Sequence, residues 1–365
     1  MDFFQTRVSE KAIANAIEVL KSGWLSEGRM VKQFEEKLAE KCGISNPVAV
    51  NSGTAALHLS LIVAGVNRGD EVILPAQTFV ATGTVILMQG AIPVFADIDR
   101  NTGNISPESI QKKITEKTKA IIPVHWGGYP CDMDEINLIA KEKNLKVIED
   151  GAHAFGAFYK KKPIGSISKL TAFSFQAIKL LTTGDGGVLS CLEEKDASHV
   201  KVLRWFGIDR ANSKPSVLGE REYNISEYGY KYHLNDLAAA IGIGNLETWH
   251  EDLARRREIA YRYQDALKNI PGLKLLDYKN DRMSSYWLFT ILVEKRERFI
   301  LSMKKDGIPT SVVHLRIDKN SIFGGPAPDL PGQESFDRMQ VSLPIHAGLS
   351  DEDVERVIKS GKTGW

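Results

Sequence analysis

From residue 47 to residue 191, short apolar runs rich in β-branched residues alternate with longer stretches whose apolar positions recur at helical spacing. Residues 47–50, 71–74, 92–95, 120–124, 145–149, 170–175 and 187–191 read as strands, because each is short, apolar and bounded by polar or turn-forming residues. Residues 54–64, 79–89 and 132–143 carry the helical period between them. This grammar predicts an α/β fold with a largely parallel sheet covered by helices on both faces. In such sheets ligands collect outside the carboxyl ends of the strands.

Residues 236–267 carry Leu237, Ala240, Ile241, Ile243 and Leu246, then a run of charges, and read as a long helix or helix pair leaving the sheet. Beyond it, 273–276, 286–293, 310–313 and 341–343 read as strands, with helices over 296–305 and 351–360. A smaller α/β unit therefore closes the chain. The amino-terminal helix over 8–21 is expected to pack with that unit. The expected organisation is thus a segment 1–45 packing with the small domain, a large domain over 46–250 and a small domain over 251–365. The polar, glycine-bearing stretch 206–230 suits a long functional loop.

A length of 365 residues agrees with about two domains. Forty-seven Lys and Arg against 46 Asp and Glu leave a formal charge of +1, so no global field marks a nucleic-acid or membrane-surface partner. Cys42, Cys131 and Cys191 are far apart and form no Cys-x-x-Cys pair, which argues against a disulfide framework or a thiolate metal site. Neither a signal segment nor an apolar run long enough to span a bilayer stands out, and the expected location is cytoplasmic.

Three segments carry candidate chemistry. In Asn51-Ser52-Gly53-Thr54-Ala55 a strand runs into a helix, whose first-turn N–H groups and positive dipole end could hold a phosphate at Gly53 and Thr54; simple capping by Ser52 or Thr54 is the rival reading. In Glu149-Asp150-Gly151-Ala152-His153 a carboxylate ends a buried strand, where it could pair with a protonated ring nitrogen; a helix cap and a core histidine are the alternatives. In Ser174-Phe175-Gln176-Ala177-Ile178-Lys179-Leu180-Leu181 a lysine sits among apolar neighbours that favour a neutral, carbonyl-attacking amine, whereas most lone lysines are solvated surface. The glycines of Gly184-Asp185-Gly186-Gly187 precede a strand, so they do not make a dinucleotide fingerprint.

A phosphate cradle, an acid for a ring nitrogen and a lysine for an aldehyde are the three partners of pyridoxal 5'-phosphate (PLP). Their order and wording resemble the DegT/DnrJ/EryC1/StrS family of nucleotide-sugar aminotransferases. The resemblance runs from Ser22-Gly23-Trp24-Leu25-Ser26-Glu27-Gly28 to Leu343-Pro344-Ile345-His346-Ala347-Gly348. It implies an aspartate-aminotransferase-like fold (PLP fold type I), with a mostly parallel mixed sheet in the large domain and a smaller α/β domain. It also implies that Lys179 bonds the cofactor and moves the proton. Asp150 would bind the pyridine nitrogen, His153 and Phe79 would lie on the ring, and Gly53, Thr54 and Ser174 would hold the phosphate. Tyr228-Gly229-Tyr230-Lys231-Tyr232-His233 resembles the segment that reaches the neighbouring subunit's phosphate, with Lys231 and His233 where many relatives carry other residues. His125 and Trp126 would line the pocket or pack beneath the cofactor.

The resemblance further implies a homodimer with active sites at the subunit interface. The implied reaction is amino transfer from an amino acid, L-glutamate in the usual family case, to a nucleotide-linked keto-deoxy sugar for glycan or glycosylated-metabolite synthesis. Trp24, Arg29, His314, Arg316 and His346 fall on segments that the likeness brings near the sugar nucleotide. A family dehydratase and a non-catalytic regulatory or scaffold protein are the rival readings; Lys179, where family dehydratases can carry His, favours transamination over the first, and the retained pair of Asp150 and Lys179 disfavours the second.

Overall fold

A computed structural model of the chain describes residues 1–210, 212–363 and 365. Its main sheet has seven strands: β1 (Val48–Val50), β2 (Glu71–Pro75), β3 (Ile92–Ala96), β4 (Thr118–Ile121), β5 (Lys146–Asp150), β6 (Leu170–Ser174) and β7 (Gly187–Cys191). Their order is β1-β7-β6-β5-β4-β2-β3. β7 runs antiparallel to β1 and to β6, while the remaining neighbours pair in parallel. The two reversals at β7 cancel. β1 therefore points the same way as β6, and the carboxyl ends of β1, β2, β5 and β6 share one edge.

Both faces of this sheet are dry, which is why its strands read as continuous apolar runs. Ile73 of β2 enters a core with Phe34, Ile121 and Phe173 on one face. Its neighbours Val72 and Leu74 enter the core on the other face, with Leu57, Ile86 and Leu170, as the two-residue period of a strand requires. The covering helices are α1 (Glu10–Ser22), α2 (Arg29–Cys42), α3 (Gly53–Val63), α4 (Val80–Met88), α5 (Pro107–Lys113), α6 (Met133–Glu142), α7 (Glu194–Leu203) and α8 (Asp236–Asn245).

The expected helix or helix pair after residue 235 is a pair, α8 and α9 (Trp249–Leu267). Trp249 and Leu253 of α9 pack into the large core, whereas Ile259, Tyr263 and Leu267 pack into the second core. One helix thus serves both units, and the change of core falls inside it rather than between elements. The smaller unit is an antiparallel sheet, β8 (Leu273–Leu275), β9 (Phe289–Val293) and β10 (Gln340–Leu343), with α10 (Arg296–Lys305), α11 (Pro331–Met339) and α12 (Asp351–Lys362).

Several expectations change. β4 stops at Ile121 rather than 124, where Pro123 supplies no N–H, and Val124 meets Asp150 only through an isolated bridge. Residues 310–313 form no strand; Ser311 alone exchanges backbone hydrogen bonds with Ser342. The loop over 206–230 folds a short hairpin, Lys214–Pro215 with Arg221–Glu222.

The amino-terminal helix packs on α8 and not with the small unit. Asn15 donates to the Ala240 carbonyl, and Asn245 accepts from the backbone N–H of the α1 cap, Ser9. What reaches the small unit is the extended strap ahead of the helix, where His346 donates to the Asp2 carbonyl. The close α1–α8 seam depends on Gly244, since a Cβ there would lie 2.2 Å from the backbone nitrogen of Ala12. Gly244→Ala is expected to force the helices apart and destabilise the protein by roughly 1–3 kcal/mol, read as a lower urea midpoint. An unchanged midpoint would mean that the seam yields without cost.

Candidate active site

At the shared edge of β1, β2, β5 and β6 opens a cavity of about 320 Å³. Gly53, Thr54, Phe79, Asp150, His153, Ser174, Lys179 and His314 all line it, together with Ser52, Thr82, Gln176, Asp185 and Trp287.

One end of the cavity is the N-terminus of α3. Ser52 is its cap, with Oγ accepting the Ala55 N–H at 3.0 Å. First-turn N–H groups have no acceptor within the helix, and Gly53 and Thr54 bring theirs to the cavity edge. A Cβ on Gly53 would lie 2.8 Å from Cβ of Ser174, so glycine is what lets the helix start against the end of β6. The result is a positive dipole end flanked by the Ser52, Thr54 and Ser174 hydroxyls, which suits an anion such as phosphate.

Asp150 ends β5 and is 4% exposed. Thr82 Oγ1, on the first turn of α4, donates to Oδ2 at 2.8 Å, and the Ala152 N–H donates to Oδ1 at 3.1 Å. Burial raises the carboxyl pKa against these two hydrogen bonds and the nearby Lys179 charge. A cationic ring nitrogen placed beside it would oppose the effect of burial and hold it ionised. Glu149, one residue earlier, faces the opposite side of the sheet. There it meets His125 Nε2 at 2.8 Å and the Ser168 N–H at 2.9 Å. His125 Nδ1 accepts the Cys131 N–H, so Nε2 carries the proton it gives to Glu149.

Lys179 follows β6 on a tight turn in which its N–H donates to the Gln176 carbonyl. Burial lowers its pKa to about 7, with Asp150 as the opposing influence. Nζ lies 3.7 Å from the ring centroid of Trp287. His153 stacks on the same indole at 3.8 Å, and burial followed by the Lys179 charge holds its imidazole pKa well below the usual value. His314, similarly placed, is pushed down to about 4. Both imidazoles are therefore neutral near pH 7, and His153 Nδ1 is buried with no partner among the described residues. Phe79 caps α4 at the cavity mouth, 53% exposed, 5.1 Å from His314.

Other expected residues lie elsewhere in the single chain. Arg316 is buried and held by Asp318, with Nε donating at 2.7 Å, so its charge is already neutralised. His346 sits under the amino-terminal strap. Trp24 is 67% exposed, and Arg29 opens α2 on the surface. The backbone of His233 bridges Val50 of β1 and that of Lys231 bridges Trp205, and both side chains turn to the Trp205 ring. His125 is committed to Glu149, and Trp126 packs its edge toward His153 from outside the cavity. Sequence reading missed Thr82 and Trp287. The hydroxyls of Thr78 and Thr82 meet at 2.7 Å, a spacing of four visible in the sequence. Trp287 hid in an expected strand that begins only at Phe289, after Tyr286 takes the left-handed φ of 49°.

Known proteins resemble this chain along its whole length. The family model of the DegT/DnrJ/EryC1/StrS aminotransferases matches residues 6–361. The spore coat polysaccharide biosynthesis protein SpsC of Bacillus subtilis is 40% identical over 97% of this chain and 94% of its own. The sugar aminotransferase CalS13 of Micromonospora echinospora superposes with a TM-score of 0.95 at 32% identity, covering 100% of both chains. Spr1654 of Streptococcus pneumoniae, solved in a PLP form, gives 0.92 at 31% identity over 99% of this chain and 97% of that one. The fold is that of PLP-dependent sugar aminotransferases, and the chain belongs to the DegT/DnrJ/EryC1/StrS aminotransferase family.

Proposed function

We propose that this aminotransferase uses PLP to move an amino group from an amino acid, L-glutamate in the usual family case, to a keto-deoxy sugar carried on a nucleotide. The observation that carries the reading is one cavity holding a desolvated amine, a buried carboxylate and an open helix N-terminus. The residues fit PLP. Gly53, Thr54 and Ser174 would take its phosphate, Asp150 its ring nitrogen and Lys179 its aldehyde, with Phe79 and His153 against the ring. When bound, the cofactor supplies a carbonyl for amine exchange and a protonated ring that draws negative charge from the reacting carbon.

The protein's own part follows from the side chains. Lys179, with a pKa of about 7, is present both as a base that can take the proton from the donor carbon and as an acid that can return it. Asp150, held by Thr82 and Ala152, keeps the ring nitrogen protonated. His153, neutral and apolar-faced, offers a stacking surface that adds no competing charge beside the amine.

Among the described residues no arginine lines the cavity, so the diphosphate and the donor carboxylate need cations from elsewhere. We assign these to a second copy of the chain in a homodimer, with Lys231 and Arg29 as the cationic contributors and His233 and Trp24 as further, uncharged contacts. His314 is the substrate contact from this copy. The likeness to SpsC supports a role in glycan building, and the three free cysteines support a cytoplasmic setting.

Purified full-length protein given PLP should turn yellow, glutamate should bleach it, and a keto-sugar nucleotide should restore the colour. Lys179→Ala should abolish the cycle while melting as wild type does. A wild-type chain that takes up no PLP would overturn the reading. In cofactor-free protein, acylation of Lys179 by an amine reagent should rise through a midpoint near pH 7. Asp150→Asn should move that midpoint lower, because the carboxylate favours the ammonium form. A midpoint at the ordinary lysine value would remove the neutral amine from the mechanism.

A further inference from the structure

Nothing in the reaction so far requires Trp287, yet its indole face lies 3.7 Å from the Lys179 amine. We propose that the indole face of Trp287 is the resting place of the Lys179 amine whenever that amine is not bonded to the cofactor. Trp287 is thereby a positioning residue for the proton transfer. This inference rests on the aminotransferase reading above.

Amino transfer requires Lys179 to leave the cofactor once, in the donor half of the cycle, to take up and give back a proton while free in both halves, and to return at the end of the acceptor half. A released lysine has a flexible four-carbon stem, so without a seat its amine leaves the reacting carbon. The seat must also not take the proton. A carboxylate in contact would fix the amine as an ammonium, whereas an aromatic face attracts the cation and has no lone pair to accept its proton. Nζ lies 3.7 Å from the Trp287 centroid, well inside the ~6 Å reach of such contacts. The other titratable groups acting on it are Asp150, which favours the ammonium form, and the neutral His153 and His314.

The ring is fixed more firmly than filling space would need. Its Nε1–H donates to the Ile178 carbonyl at 2.9 Å, tying the indole to the turn that carries Lys179. His153 stacks on it at 3.8 Å and 19°, and Phe4 of the amino-terminal strap at 5.3 Å and 21°. The strap is anchored in turn where Thr6 donates to the Ala177 carbonyl at 2.9 Å. Trp287 follows Tyr286, whose φ of 49° is an outlier for an aromatic residue. The Ser284 hydroxyl accepts the Tyr286 N–H, and the Gly127 carbonyl accepts the Leu288 N–H. A strained backbone held on both sides is the pattern found where a side chain must be aimed.

The test pairs Trp287→Leu, which removes the face, with Trp287→Phe, which keeps one. Lysines of the full-length protein are methylated with carbon-13, cofactor-free and after PLP loading and conversion by excess glutamate. The Lys179 signal is identified by its loss in Lys179→Ala. In wild type it should be moved upfield by the indole ring current. Trp287→Leu should return it to the position of exposed lysines, and Trp287→Phe should retain part of the shift. In single-turnover conversion by saturating glutamate, Trp287→Leu should slow the rate about tenfold. Its donor half-saturation should be unchanged and its isotope effect from deuterium on the donor carbon larger; Trp287→Phe should recover most of the rate. Phe4→Ala leaves the indole in place with His153 but without its second stacking partner and should give a smaller change of the same sign, which keeps the test open if Trp287→Leu does not fold. An unshifted Lys179 signal in wild type, or a wild-type saturated rate in folded Trp287→Leu, would overturn the proposal. Failure of PLP uptake would instead overturn the aminotransferase reading, and the cofactor-free shift would still report where the amine rests.

Discussion

Taking the ε-amine of Lys179 out of water is the constraint on which the site depends. An amine in bulk solvent is protonated and inert toward a carbonyl near neutral pH, and burial among apolar and aromatic groups makes the neutral form accessible. Burial alone would carry the amine too far from its acid form. Asp150 across the cavity and the indole beneath both favour the cation. The site is thus a balance of desolvation against one carboxylate and one aromatic face, with neutral imidazoles completing the wall.

The scaffold supports this balance by bringing unlike segments to one edge. Asp150 closes β5 and Lys179 stands on the tight turn that follows its parallel neighbour β6, so the sheet fixes the acid and the turn places the amine. The helix N-terminus at Gly53 reaches the same edge only because β7 reverses direction twice between β1 and β6. Trp287 and His314 come from beyond the large sheet, and a buried amide cluster fixes the second of them: Gln77 donates to the His314 carbonyl and accepts from Gln333. The rigid sheet supplies the reacting groups, and the later segments close over them.

Much of this was legible in residue order. Strand and helix periods in the large unit are strong because both faces of the sheet are buried, and the motifs at Gly53, Asp150 and Lys179 each sit where a strand ends. The small unit was less legible. Residues 310–313 have strand composition, but a single bridge to Ser342 is all they form. Helix α11 was missed because it is short and its buried stripe includes Gln333 and Asp337. Pairwise commitments were invisible in one dimension: nothing local says that Arg316 is spent on Asp318, that His346 lies under the strap, or that Thr82 meets Asp150 from sixty-eight residues away. Likewise, helical amphipathicity showed that α1 buries a face but not whether its partner was α8 or the small unit.

The consecutive acids of β5 have a consequence for how the chain tolerates change. Glu149 and Asp150 differ by one methylene and stand back to back, one wired to an imidazole in a dry layer, the other open to the cavity. Which acid does which job is decided by the parity of the strand alone. A single-residue insertion or deletion that slipped β5 by one position would turn each acid to the other's face, taking Asp150 away from the cavity and Glu149 away from His125. Length changes upstream of this strand must therefore be absorbed in the turn before Lys146, and substitutions within the strand are far less disruptive than a shift of frame.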